Sequence, residues 1–199
     1  MIKKFVIIFF VLFGYSGYSQ TAKLNEAAPN FILKDSFGKK HSLSDFEGKI
    51  VVLEWINFEC PFVKKHYNSK NMQNLQAKYS KKDVVWLAIC SSAKSKQGNF
   101  SNDEINERSK KHGANFTAYL IDENGKVGKM YGAKTTPHMY VINKEGKLVY
   151  AGGIDDTPST DTDDIETAKN FITAALDELL AGKRVSIQSS APYGCSVKY

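Results

Sequence analysis

The chain has 199 residues, 42% of them apolar and 24% charged, with a net charge of +6. That length carries one domain with a real core, and the composition excludes a disordered or fibrous chain. Its basic residues fall in dispersed pairs, Lys64-Lys65, Lys81-Lys82 and Lys110-Lys111, which read as solvated faces and not as a nucleic-acid surface.

Residues 1–19 read as a secretory signal peptide. Lys3 and Lys4 form the charged start, Phe5 to Phe13 the apolar run, and Gly17 and Ser19 the small residues of a cleavage site. The run is too short to span a bilayer easily. An uncleaved N-terminal anchor is the competing reading; after cleavage no stable membrane insertion is expected. No cysteine follows the run, so lipid attachment there is not expected. Export to a periplasm or beyond the cell implies an oxidising or mixed compartment, where cysteines carry weight. There are three, an odd number, so at least one is free or pairs with another molecule.

Residues 20–181 read as the folded domain and 182–199 as a C-terminal tail. After a polar lead-in, Asn30 to Lys34 and Lys40 to Leu43 flank a turn at Ser36–Lys39, which predicts a β-hairpin. A short helical turn closes at Gly48. Ile50 to Leu53 is a β-branched run suited to a strand buried on both faces. A helix is predicted from Pro61 to about Lys78, with Val63, Tyr67, Met72, Leu75 and Tyr79 as its apolar stripe. Asp83 to Cys90 is the next buried strand. Strand, helix and strand at this spacing make a βαβ unit with parallel strands. A loop to Ser101, a helix from Asn102 to near His112, a strand at Phe116–Ile121 and a helical turn at Lys126–Tyr131 come next. Thr135-Thr136-Pro137 leads into an antiparallel hairpin, His138–Ile142 and Lys147–Ala151, around Asn-Lys-Glu-Gly. The last helix is predicted over Asp164–Leu180, and the tail is expected to be irregular and flexible.

The element around which the chain is organised is Cys60-Pro61, at the junction of the first buried strand and its helix. A thiol at a helix N-terminus meets unpaired backbone N–H groups and the positive end of the helix dipole, so the thiolate is favoured. Pro61 suits the first helical position. Lys64 and Lys65, one turn on, add to this effect, and Glu59 opposes it. Cys60 and Cys90 both follow the C-terminal ends of parallel strands, so they share one edge of the sheet, where α/β sites are usually found.

With these elements placed, the chain resembles a thioredoxin-fold redoxin of the peroxiredoxin-like type, in the alkyl hydroperoxide reductase and thiol-specific antioxidant superfamily. The resemblance covers about Ala27 to Leu180. It is carried by Ala28-Pro29-Asn30-Phe31, by Leu43 to Lys49 ahead of the first buried strand, by Cys60-Pro61 and by Thr136-Pro137 at the cis-proline position. A subgroup pattern, Asn57 to Val63 with His66-Tyr67 and Gly153 to Asp156, is similar too. The resemblance implies an α/β, three-layer fold: a central mixed β-sheet flanked by helices, with the N-terminal β-hairpin as an extension. It also carries departures. A thioredoxin-type motif needs a second cysteine where Val63 stands. A peroxiredoxin site needs Pro and Thr where Leu53 and Asn57 stand, and an activating arginine that neither Arg108 nor Arg184 supplies in a recognisable motif.

The chemistry expected is that of an exported thiol–disulfide oxidoreductase with Cys60 as nucleophile. Cys195 in the tail is the favoured resolving thiol, and Cys90 is the alternative. A Cys60–Cys90 bond needs Cα atoms within about 7 Å. Thr136 and Pro137 are expected to bind substrate by strand-like pairing if the bond is cis. Asn57, Glu59 and Pro61 would support the sulfur or its loop, and Asp155 and Asp156 would act as proton acceptors. The expected partners are a protein or small-molecule disulfide or peroxide substrate and an external thiol as electron donor. No cofactor is expected. His66 and His138 suggest copper or zinc only weakly, because Lys64 stands where a second cysteine ligand would be. Two rival readings remain: a one-cysteine peroxiredoxin-like antioxidant that reduces hydroperoxides, and a non-catalytic peptide-binding module.

Overall fold

The computed structural model describes residues 21–199; the expected signal peptide at 1–19 lies outside the described residues. Among those described, no helix is long and apolar enough to cross a membrane. A seven-stranded mixed sheet forms the middle layer. Its strands are β1 (Ile32–Asp35), β2 (Lys40–Ser42), β3 (Val51–Trp55), β4 (Val85–Cys90), β5 (Ala118–Ile121), β7 (His138–Ile142) and β8 (Leu148–Gly152), and β6 (Thr135–Thr136) stands apart from it. Their order in the sheet is β2-β1-β5-β4-β3-β7-β8. β3, β4 and β5 run parallel, and β7 lies antiparallel to β3. The expected hairpin of β1 and β2 forms one edge of this sheet, through the β1–β5 pairing.

Alternation along β3 sorts its side chains between two cores. Val51, Leu53 and Trp55 face one core, which is closed by α4 (Lys126–Tyr131) and the segment before β1. Val52 and Ile56 face the other, with Cys60, under α1 (Pro61–Asn68), α2 (Asn71–Ser80), α3 (Asn102–Lys111) and α5 (Phe171–Leu180). Every residue of β3 and β4 is buried, as their apolar runs require of a sheet covered on both faces.

The helix expected from Pro61 to Lys78 is two helices. Lys70 takes a left-handed conformation with φ 60°, and Ser69 spends its hydroxyl on the carbonyl of His66. The Gln73 side chain then donates to the carbonyl of Tyr67 at 2.8 Å, which also accepts from the Lys70 N–H at 3.2 Å. Local polar side chains here compete with the helical ladder and end it. The last helix begins at Phe171, seven residues later than expected. Asp163–Glu166 forms a separate 3-10 turn, and Asn170 caps α5 by accepting from the N–H of Thr173 at 2.8 Å.

The tail also departs from expectation. Cys195–Ser196 forms a short strand, β9, paired antiparallel with β6. On one side of it, the Ser190 hydroxyl accepts from the N–H of Gly153 at 2.9 Å. On the other, the Tyr199 hydroxyl donates to the carbonyl of Ala133 at 2.8 Å. Gly152 and Gly128 are what let the tail lie flat. A Cβ on Gly152 would stand 2.6 Å from the Ser190 carbonyl oxygen, and one on Gly128 would stand 2.6 Å from the Tyr199 hydroxyl.

Candidate active site

Cys60 is the N-cap residue of α1, in an extended conformation, and Pro61 opens the helix. Asn57 shapes the approach. Its side-chain oxygen accepts from the N–H of Glu59 at 2.9 Å, and its carbonyl accepts from the N–H of Cys60 at 2.9 Å. Asn57 makes both bonds while buried. Glu59 points outward to Arg108, at 3.8 Å.

The sulfur of Cys60 is buried against the cis Thr136–Pro137 bond. As a thiol it donates to the carbonyl of Thr136 at 3.0 Å. Burial pushes its pKa up. That effect is outweighed by hydrogen bonds from the Cys195 thiol, the Thr136 side chain, the Val63 N–H and the Cys195 N–H, which hold Cys60 below the ordinary thiol value. Two of these groups have specific meaning. The Val63 N–H is one of the orphaned donors of the first turn of α1. The Thr136 hydroxyl oxygen is buried with no hydrogen-bond partner while the thiol is protonated, so it is a donor waiting for a thiolate.

Cys195 faces Cys60 from the tail and titrates the other way. Burial, the hydrogen bond to Cys60 and the charge on Cys60 push it up to about 11, against a smaller opposing effect of Lys198. The pair is thus asymmetric: Cys60 takes the charge and Cys195 keeps the proton. Cys90 is directed elsewhere. Its thiol donates to the Ser92 hydroxyl and the Gly98 carbonyl, each at 3.4 Å.

Beside the thiol pair lies a polar cluster. The Tyr193 hydroxyl donates to Asp155 Oδ1 and lies 3.1 Å from His66 Nε2. His66 Nδ1 meets the Asn71 side-chain amide at 2.9 Å. With Asn71 donating to Nδ1, the proton of this imidazole sits on Nε2 and points at Tyr193. Burial and the Lys65 charge push His66 down to about 3, so the ring is neutral. Burial raises Asp155 above the usual carboxylate range, despite the Tyr193 bond. Asp156 is exposed and accepts from the N–H of Lys169 at 2.9 Å, so it serves the loop. His138 sits on β7, where its Nδ1 accepts from the Lys134 N–H at 3.2 Å. Among the described residues no group of three His, Cys, Asp or Glu side chains is arranged to hold a metal.

Two groups escaped the sequence reading. Glu54, on β3, is fully buried and receives Tyr67 Oη at 3.0 Å, Gln76 Nε2 at 3.1 Å and Trp86 Nε1 at 2.7 Å. Desolvation raises it to about 7, although these three bonds act the other way. The signal was present: a carboxylate inside a strand buried on both faces has no route to water. Tyr193 is the second. Its ring packs edge-on to Phe62, with centroids 5.8 Å apart; the sequence places it two residues before Cys195, in a tail segment similar to the subgroup's end, without giving it a role.

The family model of the AhpC/TSA family matches residues 24–151. Thiol-disulfide oxidoreductase ResA of Bacillus subtilis (strain 168) is 30% identical over 150 residues, covering 72% of this chain and 78% of that protein. An uncharacterized conserved protein from Geobacillus kaustophilus superposes with a TM-score of 0.75 at 30% identity, covering 89% of this chain and 92% of that one. The thioredoxin domain of a thiol-disulfide oxidoreductase from Bacteroides vulgatus has a TM-score of 0.53 at 17% identity, over 74% of this chain and 98% of that one, a likeness of fold alone.

Proposed function

This chain belongs to the AhpC/TSA family, and we propose that it is a thiol–disulfide oxidoreductase in which Cys60 is the nucleophile and Cys195 the resolving thiol. The observation that carries the assignment of roles is the placement of the two thiols: Cys60 caps α1 with its sulfur on the Thr136 carbonyl, and Cys195 sits on the tail strand paired with Thr136. Relatives named as thiol-disulfide oxidoreductases support the reaction class.

The Cys60 thiolate attacks one sulfur of a substrate disulfide. A Cys60–substrate bond forms, the substrate's own S–S bond breaks, and the second substrate sulfur leaves as a thiolate that takes up a proton. Once Cys60 is in the mixed disulfide it carries no charge, so the charge and hydrogen bond that held Cys195 up are gone. Cys195 then loses its proton and attacks Cys60. The Cys60–Cys195 disulfide forms, and the second substrate thiol is released. The substrate has gained two electrons and the protein has lost two. An external thiol returns the protein to its reduced form.

Thr136 binds both partners. Its carbonyl and hydroxyl face the sulfur, and its backbone pairs with a strand. Asp155 acts through Tyr193, which holds the tail beside the sulfur. We place the protein in an exported compartment on the basis of the leader-like segment at residues 1–19. The test is thiol alkylation and mass spectrometry of the protein oxidised by one equivalent of a disulfide. A single 60–195 disulfide is expected. A 60–90 disulfide would reassign the resolving thiol, and Cys60 recovered as a free thiol would end the reading.

A further inference from the structure

We propose that the substrate is an extended polypeptide whose cysteine directly follows a glycine, and that the tail segment Tyr193-Gly194-Cys195-Ser196-Val197 is a built-in occupant of the groove that reads this pattern. The inference rests on the oxidoreductase reading and names the substrate class of that same site.

The first observation is that the tail lies where a substrate must. Cys60 is fully buried, and Cys195 faces its sulfur. Thr136 pairs with Cys195 and Thr135 with Ser196, and the Val197 N–H donates to the Lys134 carbonyl at 3.0 Å. A strand edge accepts one partner strand on its free side. A disulfide brought to Cys60 therefore displaces the tail and sets its own cysteine where Cys195 stood.

The second observation is the residue that stands next to that cysteine. A Cβ built on Gly194 would lie 2.1 Å from the Thr136 carbonyl oxygen and 2.8 Å from its carbonyl carbon, with φ at +135°. Both atoms are backbone, and this carbonyl is the one bonded to Cys60, so it has no freedom to withdraw. Any strand that takes the tail's path needs glycine there, for space and for conformation.

The third observation is one residue further back. Tyr193 fills a slot formed by Phe62, His66, Lys65 and Asp155. It packs edge-on to Phe62, lies under the Lys65 ammonium at 5.9 Å and donates to Asp155. That slot fits an aromatic side chain with a hydroxyl. Val197 packs beside the opposite core on the far side of the cysteine. The pattern is aromatic, glycine, cysteine, any residue, apolar. Because tail and substrate want one edge, resolution and release are a single event. The returning tail brings Cys195 to the mixed disulfide and evicts the product strand.

The test uses the full chain carrying Cys195→Ser, which keeps the tail and removes the competing thiol. The probes are the nonapeptide Ala-Pro-Tyr-Gly-Cys-Ser-Val-Lys-Tyr and its analogue with alanine for glycine, each as a mixed disulfide with thionitrobenzoate. Attack by Cys60 gives the Cys60–peptide disulfide and releases thionitrobenzoate, read by its absorbance. The glycine peptide is expected to react about tenfold faster or more, the scale of an unrelieved overpacking clash. Adding Gly194→Ala unseats the tail and is expected to speed both peptides while keeping their ratio. Equal rates for the two peptides overturn the inference, and reaction with the small disulfide of thionitrobenzoate then shows that the Cys60 reading survives it. A Cys60 inert to that small disulfide overturns both.

Discussion

Two corners of this sheet invite comparison. Cys60 comes after β3 and Cys90 ends β4, adjacent parallel strands in register from Val51↔Val85 to Trp55↔Ile89. Both cysteines are buried at the same edge. After β3 a five-residue turn, Ile56 to Cys60, leads into α1, whose first-turn N–H groups face the sulfur, and the Thr136 loop and the tail close over it. After β4 it enters a loop, where the Cys90 thiol meets the Ser92 hydroxyl and the Gly98 carbonyl. Beneath the first corner lies a carboxyl, Glu54; its partner in register on β4 is Ala88. Position on the sheet edge does not make a thiol reactive. The donors gathered around it do.

The largest effect expected is from Cys60→Ser. Disulfide reduction should fall by at least about a thousandfold, read as loss of mixed-disulfide capture, whereas a matching change at Cys90 should leave capture intact. Next is Cys195→Ser, which should stop the protein after about one turnover per chain, with the Cys60–substrate species accumulating in mass spectra. Full multiple turnover by that variant would remove the tail from the chemistry.

Thr136→Val sharpens the comparison at one atom. The hydroxyl has no partner while Cys60 is protonated, so its loss should leave stability nearly unchanged. A hydrogen bond to a charged group is worth about 1.5–3 kcal/mol, so the thiolate should become harder to form by about one pKa unit or more. The pH profile of Cys60 alkylation should move upward, with the rate at neutral pH falling by about tenfold. An unmoved profile would remove Thr136 from the cradle.

Glu54→Gln tests the group below. The Glu54 pKa is raised from 4.5 to about 7 in the folded protein, so the folded state prefers the proton. Its stabilising preference is complete below the unfolded value and is lost as pH rises through the folded one. Wild-type stability relative to the glutamine variant should therefore fall between about pH 4.5 and pH 7 and stay flat above, by about 3 kcal/mol. Urea midpoints at about pH 5 and pH 8 measure it. A difference that does not change with pH would mean Glu54 ionises normally.

How much of this was legible depends on the kind of force involved. The runs Ile50–Leu53 and Val84–Cys90 announce buried parallel strands because burial on both faces leaves no polar alternation. Cys60-Pro61 announces the helix N-terminus through local chemistry. Features set by distant contacts were harder to read. The break at Ser69-Lys70 comes from small polar side chains that outbid the helix locally, and the tail's path comes from Gly152 and Gly128 making room for Ser190 and Tyr199. Cys195 could be named as the favoured candidate for Cys60, with Cys90 as the alternative, because a Gly- and Pro-containing tail can reach the sheet edge. Its pairing with Thr136 could not, because a two-residue strand carries no periodicity.

The smallest effect expected tests the comparison from its quiet side. Cys90→Ala removes a buried sulfur that donates two long hydrogen bonds, so stability should drop by about 1 kcal/mol. Exchange should stay within about twofold of the native rate, because no group named in the chemistry of Cys60 touches Cys90. Placed in the Cys195→Ser chain, the same change should leave the stalled mixed disulfide as it was. Single turnover cannot tell the two thiols apart, so the decisive measurement is release of the second substrate thiol. If Cys90 resolves the bond, its loss slows that release in a chain that still has Cys195, and the two corners are partners after all. If release slows only when Cys195 is replaced, one sheet edge carries two cysteines with two chemistries, Cys90 at the end of β4 before a loop and Cys60 beyond β3 at the cap of α1.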